Sequence, residues 1–272
     1  MNRWKKYKLL VFVLFLFILL PFQLISQEKK EGIWIVIDQS NVQKMAIDPQ
    51  GNLYLISESS LFKYDLSGKL LYSYTNFQYG TIHSVTAINP MKIMLFFRET
   101  GKIVFLDERL ASISTEFDLF SSNFYTISLA SCSINNQIWL YDQNNATLEM
   151  RDFHFNPVNR ITYNFPDFQP IQLTEIPGKN FLMTNPNQAI YLFDTFGTLI
   201  KTLPLRTNHP AQVIGNTIYY IGDHSIEKYN YVELRHETLE FPCENLAQIL
   251  IYGKHIITLD QGGKVTVFLV ED

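Results

Sequence analysis

A pair of strand-sized apolar runs recurs along the chain about every 40 residues, the spacing of a β-propeller blade. The first run of each pair reads NLYLIS from Asn52, KIMLFF from Lys92, QIWLYD from Gln137, NFLMTN from Asn180, TIYYIG from Thr217 and KHIITLD from Lys254. The second ends in an acid or amide: SLFKYD at Asp65, KIVFLD at Asp107, TLEMRD at Asp152, AIYLFD at Asp194 and SIEKYN at Asn230. Its sixth copy, KVTVFLV from Lys264, lacks the acid. The runs are short and alternating, and no segment after residue 26 carries a helical period. One such unit cannot bury its apolar faces alone, so the copies must stack on one another. Six copies predict an all-β fold, a six-bladed β-propeller of four-stranded antiparallel blades.

In the first repeat the strands are expected at Gln43–Ile47, Asn52–Ser57, Leu61–Tyr64 and Lys69–Tyr74. DPQGN (Asp48–Asn52) and DLSGK (Asp65–Lys69) are turn sequences, in which Asp bonds its own downstream backbone and Gly supplies a positive φ. The acid ending the third strand is therefore assigned to turn chemistry and not to catalysis. The last repeat reaches Asp272 without a fourth strand, and an unpaired edge invites association. GIWIVID, Gly32–Asp38, is an alternating strand ahead of the first full repeat. Pairing it with Lys264–Val270 closes the ring.

Residues 1–26 combine a basic head, Arg3, Lys5, Lys6 and Lys8, with the apolar run Leu9–Leu20, the order of a secretory signal peptide. The alternatives are a leader cleaved after Ser26 or a retained anchor. Residues 27–31 are then a short linker and 32–272 the propeller, with 41 residues per blade in the 246 beyond the leader. Removing the four basic residues from a chain of formal charge −4 leaves −8. So acidic a chain is a poor partner for nucleic acid, whose affinity comes from neutralised phosphates. Contact with a membrane is expected only through the N-terminal segment, if it is uncleaved.

With IDPQGNLYLI (Ile47–Ile56) followed by LFKYDLSGKLL (Leu61–Leu71), the chain resembles the six-bladed propellers of the NHL-repeat and TolB-like group. Repeats three and five depart from that pattern, with DFHFNPVNR (Asp152–Arg160) and NYVELRHE (Asn230–Glu237) in place of a glycine turn. The chain also resembles propellers of Gram-negative envelopes whose leaders end in Ser-Gln. Some of those are similar to accessory parts of type 9 secretion and surface-assembly machinery. The resemblance implies an exported protein, periplasmic or associated with the outer membrane.

Catalytic groups of a propeller are expected on the innermost strands, here QKMAID, IHSVTAI, ISLASCS, PIQLTEI, PAQVI and NLAQILI. Their polar candidates are Asp48, His83 and Glu175, too few for the convergent ligands that a cation at the axis needs. No HExxH, P-loop, dinucleotide or GxSxG motif occurs, so neither cofactor nor metal is expected. Cys132 and Cys243 fall on opposite blades and at opposite ends of the channel, which predicts no disulfide. The surplus aromatics lie in the connections between blades, all on one face of the disc. They are Phe77, Tyr79, Phe120, Phe124, Tyr125, Phe165, Phe168 and Phe241. Such side chains are either anchors for a partner or wedges between blades. The leading expectation is a non-catalytic protein-binding scaffold of the cell envelope. The alternatives are a propeller-type hydrolase or lyase with a channel site, and a carbohydrate-binding module.

Overall fold

Where a strand has both faces covered its sequence is continuously apolar, and where one face meets water it alternates. Both patterns occur among the strands of this chain. The structure is a computed structural model that describes residues 34–113, 116–165, 167–176, 179–223, 225–239, 241 and 245–269. The expected leader and linker, residues 1–31, lie outside these, as does Cys243 and with it the question of its pairing.

Six four-stranded antiparallel sheets are present among the described residues. Strand β1 (Trp34–Ile37) precedes blade 1, which comprises β2 (Lys44–Ile47), β3 (Leu53–Ser57), β4 (Ser60–Tyr64) and β5 (Leu70–Thr75). Blade 2 is β6 (Ser84–Thr86), β7 (Ile93–Phe97), β8 (Lys102–Leu106) and β9 (Phe117–Asp118). Blade 3 is β10 (Ile127–Cys132), β11 (Gln137–Asp142), β12 (Thr147–Asp152) and β13 (Pro157–Thr162). Blade 4 comes next as β14 (Gln172–Ile176), β15 (Asn180–Asn185), β16 (Ala189–Asp194) and β17 (Leu199–Leu203). Blade 5 is β18 (Gln212–Ile214), β19 (Thr217–Ile221), β20 (Ile226–Asn230) and β21 (Arg235–Leu239). Blade 6 takes β22 (Leu246–Tyr252), β23 (His255–Asp260) and β24 (Val265–Leu269) from the end of the chain and β1 from its beginning. The closing pair is the expected one, and its register sets Trp34 opposite Phe268 and Ile35 opposite Val267.

Second strands sit at the middle of the stack: all of β7, Ile-Met-Leu-Phe-Phe, is buried. Outer strands such as β5 expose most of their residues. The core is divided into clusters between neighbouring blades, one joining Tyr54, Ile56 and Leu61 of blade 1 to Ile93, Leu95 and Phe97 of blade 2. Each blade thus shares a core with the next, at about 1.5–3 kcal/mol for each large side chain buried.

The acids that end the third strands cap tight turns. Asp65 Oδ1 accepts from the amides of Ser67 and Lys69, and Asp194 Oδ1 from those of Phe196 and Thr198. Asp152 does the same with His154 and Asn156, although this turn has no glycine. Phe155 takes the position of Gly68 and Gly197, at φ 65°. Leu110 does so in blade 2 at φ 62°. A left-handed residue costs about 1–2 kcal/mol, which burial of the Leu110 side chain at 4% exposure offsets. The glycine turn of the family pattern is therefore one solution to a geometry that other residues also satisfy when their side chains are packed.

An innermost strand has a free edge toward the axis, with backbone N–H and C=O groups that need partners. Three glutamines supply them. The Gln248 amide accepts from Met45 N at 2.8 Å and donates to Met45 O at 2.7 Å, joining blade 6 to blade 1. Gln212 pairs in the same way with Ile251 at 2.5 and 3.0 Å, and Gln172 with Ala211 at 2.7 Å in both directions. Elsewhere the links are thinner: Lys44 Nζ donates to His83 O, the Thr86 and Ser131 hydroxyls meet at 3.3 Å, and Ile134 N donates to Glu175. Replacing Gln248 with Met keeps its volume but strips Met45 of both partners. Chemical denaturation should show a loss of about 2 kcal/mol, and the melting temperature should fall by roughly 4–8 °C. Unchanged stability would show that water replaces the amide at no cost.

Candidate functional site

The innermost strands surround a channel of about 490 Å³ whose wall includes Asp48, His83 and Glu175. The structure thus places the three polar candidates on one cavity, and their surroundings differ.

Asp48 ends β2 and is 2% exposed. Its carboxylate accepts from the amides of Gln50 and Asn52, from the Asn52 side chain at 2.8 Å and from the Tyr54 hydroxyl at 3.0 Å. Those four bonds fill the lone pairs of a carboxylate, so Asp48 caps the first turn of blade 1 and holds Tyr54 in the core. Burial and the neighbouring Asp48 charge push the Tyr54 phenol well above its ordinary range. Glu175, also buried, accepts from Ile134 N and ties blade 4 to the first turn of blade 3. Burial, with the Glu175 charge, raises the Cys132 thiol to about 12, so this buried free cysteine stays protonated.

His83 enters blade 2 just before β6, its ring edge-on to Phe96 at 5.8 Å. Burial and then the charges of Lys44 and Arg98 bring its pKa down to about 3, and it is neutral at physiological pH. Lys44 stands beside it, half-buried, with its ammonium on the His83 carbonyl. Burial and the Arg98 guanidinium lower Lys44 to about 8. Arg98 itself is exposed on the turn between β7 and β8. Lys44, Ser84, Gln172 and Gln248 pair with Ile56, Phe96, Thr184 and Leu259, equivalent positions of the second strands, and so stand at one height in the channel. The Ser84 hydroxyl is buried with no hydrogen-bond partner. Lys44 was visible as one polar residue of QKMAID, but its nearness to His83 and Arg98 comes from three separate strand ends. No group of three or more His, Cys, Asp or Glu side chains arranged to hold a metal occurs among the described residues.

The eight aromatics of the connections divide by environment. Phe77, in a single 3₁₀ turn Phe77–Tyr79 capped by the Asn76 side chain, is 83% exposed, and Tyr125 is 64% exposed. Tyr79 lies edge-on to Phe97, and its hydroxyl donates to Glu116, itself paired with Lys102 at 2.8 Å. Phe120 stacks on Tyr125 at 5.9 Å and covers Gly101, where a Cβ would meet its ring at 2.6 Å. Thr100 donates to the Tyr79 carbonyl, so contacts run from Tyr79, in the turn that carries Phe77, across blade 2 to Tyr125. Phe124 packs against Phe155 beneath the Arg151 guanidinium, 4.8 Å from the ring. Phe165 and Phe168 pack with Tyr163 and Tyr191 between blades 3 and 4, and Phe168 is buried. Phe241 meets Phe268 edge-on at 4.9 Å. Sequence position put all eight in connections, but only packing separates the exposed two from the wedges.

No family model matches the chain, and no curated protein matches it in sequence. Solved structures of similar fold include virginiamycin B lyase from Staphylococcus aureus, at 14% identity and TM-score 0.59, covering 85% of this chain and 80% of that one. BamB from Moraxella catarrhalis aligns at 12% identity and TM-score 0.55, covering 88% of this chain and 99% of its own. The Cps50 (Swd1) propeller domain of Myceliophteria thermophila aligns at 10% identity and TM-score 0.62, covering 88% and 100%. At these identities the likeness is one of fold, and it establishes the propeller.

The neutral state of His83 has a measurable consequence. Between its native pKa of about 3 and the ordinary value of 6.5, the unfolded chain binds a proton that the folded chain refuses, so this residue makes stability fall as pH falls. In His83→Gln the loss of stability between pH 6.5 and 4.5 should be shallower by up to about 1.4 kcal/mol per pH unit. Parallel curves for the two proteins would mean that His83 takes up its proton in the fold.

Proposed function

We propose that this propeller is a non-catalytic binding scaffold of an exported protein, and that it holds a protein partner on the face where the connections between blades emerge. The observation that carries this reading is the tract on blades 1 and 2. Phe77 and Tyr125 present their rings to water while Tyr79, Phe120 and Thr100 beneath them are fixed by packing and hydrogen bonds. Rigid aromatic anchors with a buttressed base are what a contact hot spot requires. Phe124, Phe165, Phe168 and Phe241 support the face from within as wedges between blades. The channel groups favour binding over catalysis: Asp48 is committed to its turn, Glu175 accepts from a backbone amide of blade 3, and His83 is held neutral by burial.

The basic head and apolar run of residues 1–26 support export, and the acidic balance of residues 27–272 supports a protein partner over nucleic acid. The resemblance to envelope propellers makes a place in the Gram-negative envelope, in a secretion or surface-assembly complex such as type 9 secretion, the reading to test. The double variant Phe77→Ser, Tyr125→Ser removes the two anchors without touching the core. It should melt within about 2 °C of the parent and lose at least ~30-fold in affinity for the envelope protein that co-purifies with the parent, the effect of a lost hot spot. Equal recovery of that protein by parent and variant would move the contact to another surface.

A further inference from the structure

The channel contains a cationic end without a counter-charge. Lys44 lines the cavity, and Arg98 lies near enough to depress both Lys44 and His83. Among the described residues neither Lys44 nor Arg98 forms an ion pair. The Lys44 ammonium uses one of its three donors, on the His83 carbonyl. At the same height, on the next blade, Ser84 also lines the channel, with its hydroxyl oxygen turned away from solvent. An ammonium on a cavity wall with donors left over is what an incoming acceptor would complete. Away from that level the wall is largely apolar, with Val85, Leu129, Ile171, Val213 and Ile249 among its residues. The volume of about 490 Å³ is that of a small-molecule site.

We infer that the channel binds a small organic anion with an apolar body, its anionic head held by Lys44 and its body against the apolar wall. The inference is independent of the rim contact, since it uses none of the same residues. A carboxylate or a phosphate monoester would supply the head. Either accepts charge-assisted hydrogen bonds from an ammonium and replaces the water that Lys44 lost on burial.

The full-length protein is titrated calorimetrically at low ionic strength with hexanoate, hexyl phosphate and 1-hexanol, which share a body and differ in the head. At least one of the two anions should bind about tenfold or more tightly than hexanol, and the tighter of them names the head that the site prefers. Lys44→Gln keeps a donor for the His83 carbonyl and removes the charge; it should weaken the anion about tenfold or more, with the melting temperature as the control for folding. Because Lys44 has a pKa of about 8, reductive methylation at pH 8 followed by peptide mass spectrometry should label it ahead of surface lysines, and the bound anion should protect it. Hexanol binding as tightly as both anions, an unchanged affinity in Lys44→Gln, or labelling of Lys44 unaffected by saturating anion would each overturn the inference.

Discussion

Ring closure is the constraint on which every other feature depends. Each blade covers one face of the next, so an open ring would leave two apolar faces in water. The chain meets this with segments from its opposite ends. Strand β1 pairs with β24 at the rim, Gln248 bonds both backbone groups of Met45 at the axis, and the Tyr252 hydroxyl donates to Pro49 O between first turns. Gly263, at φ 83°, lies so close to Val42 that a Cβ would meet backbone atoms at 3.0 and 3.1 Å. These contacts span more than two hundred residues, so their loop-closure entropy is recovered only when all six blades are in place. The fold is accordingly expected to be cooperative.

The closed ring also separates the roles of similar residues. Aromatic side chains in the connections between blades lie at the boundary of two sheets, and whether a ring turns inward depends on the space the neighbouring blade leaves. Phe168 finds Tyr141, Tyr163 and Tyr191 within reach and is buried; Phe77 finds nothing comparable on its short 3₁₀ turn and faces water. The exposed pair is thus a small feature on a rigid base.

Charge is distributed unevenly with respect to depth. The chain as a whole is acidic, yet the level of the channel at Lys44 is cationic and lacks a carboxylate partner. A burial penalty of this kind persists when the surrounding structure is stable enough to hold it, here because Lys44 is anchored on the carbonyl of the adjacent blade. The acids of the other channel end are engaged locally: Asp48 serves its own turn and Glu175 the turn of the neighbouring blade.

The blade count, the strand limits of the first repeat to within a residue, the turn role of the strand-ending acids and the closure of the last blade by the first strand were all legible in the residues alone. Each comes from periodicity and local backbone chemistry, which a sequence carries directly: the two-residue alternation of NLYLIS, the Asp and Gly of DLSGK, the missing strand after KVTVFLV. What the tertiary structure decided is every relation between residues of different blades. Gln172, Gln212 and Gln248 looked like scattered amides, and became edge caps only when each met the backbone of the next innermost strand. Lys44 and Ser84 come from neighbouring innermost strands, His83 from the connection before β6 and Arg98 from the turn after β7, and only the packing of two blades brings them together. Local pattern determines which residues form a strand and which way they alternate; the side chain that stands opposite across a gap is chosen by packing around the whole ring, which no window of the sequence contains.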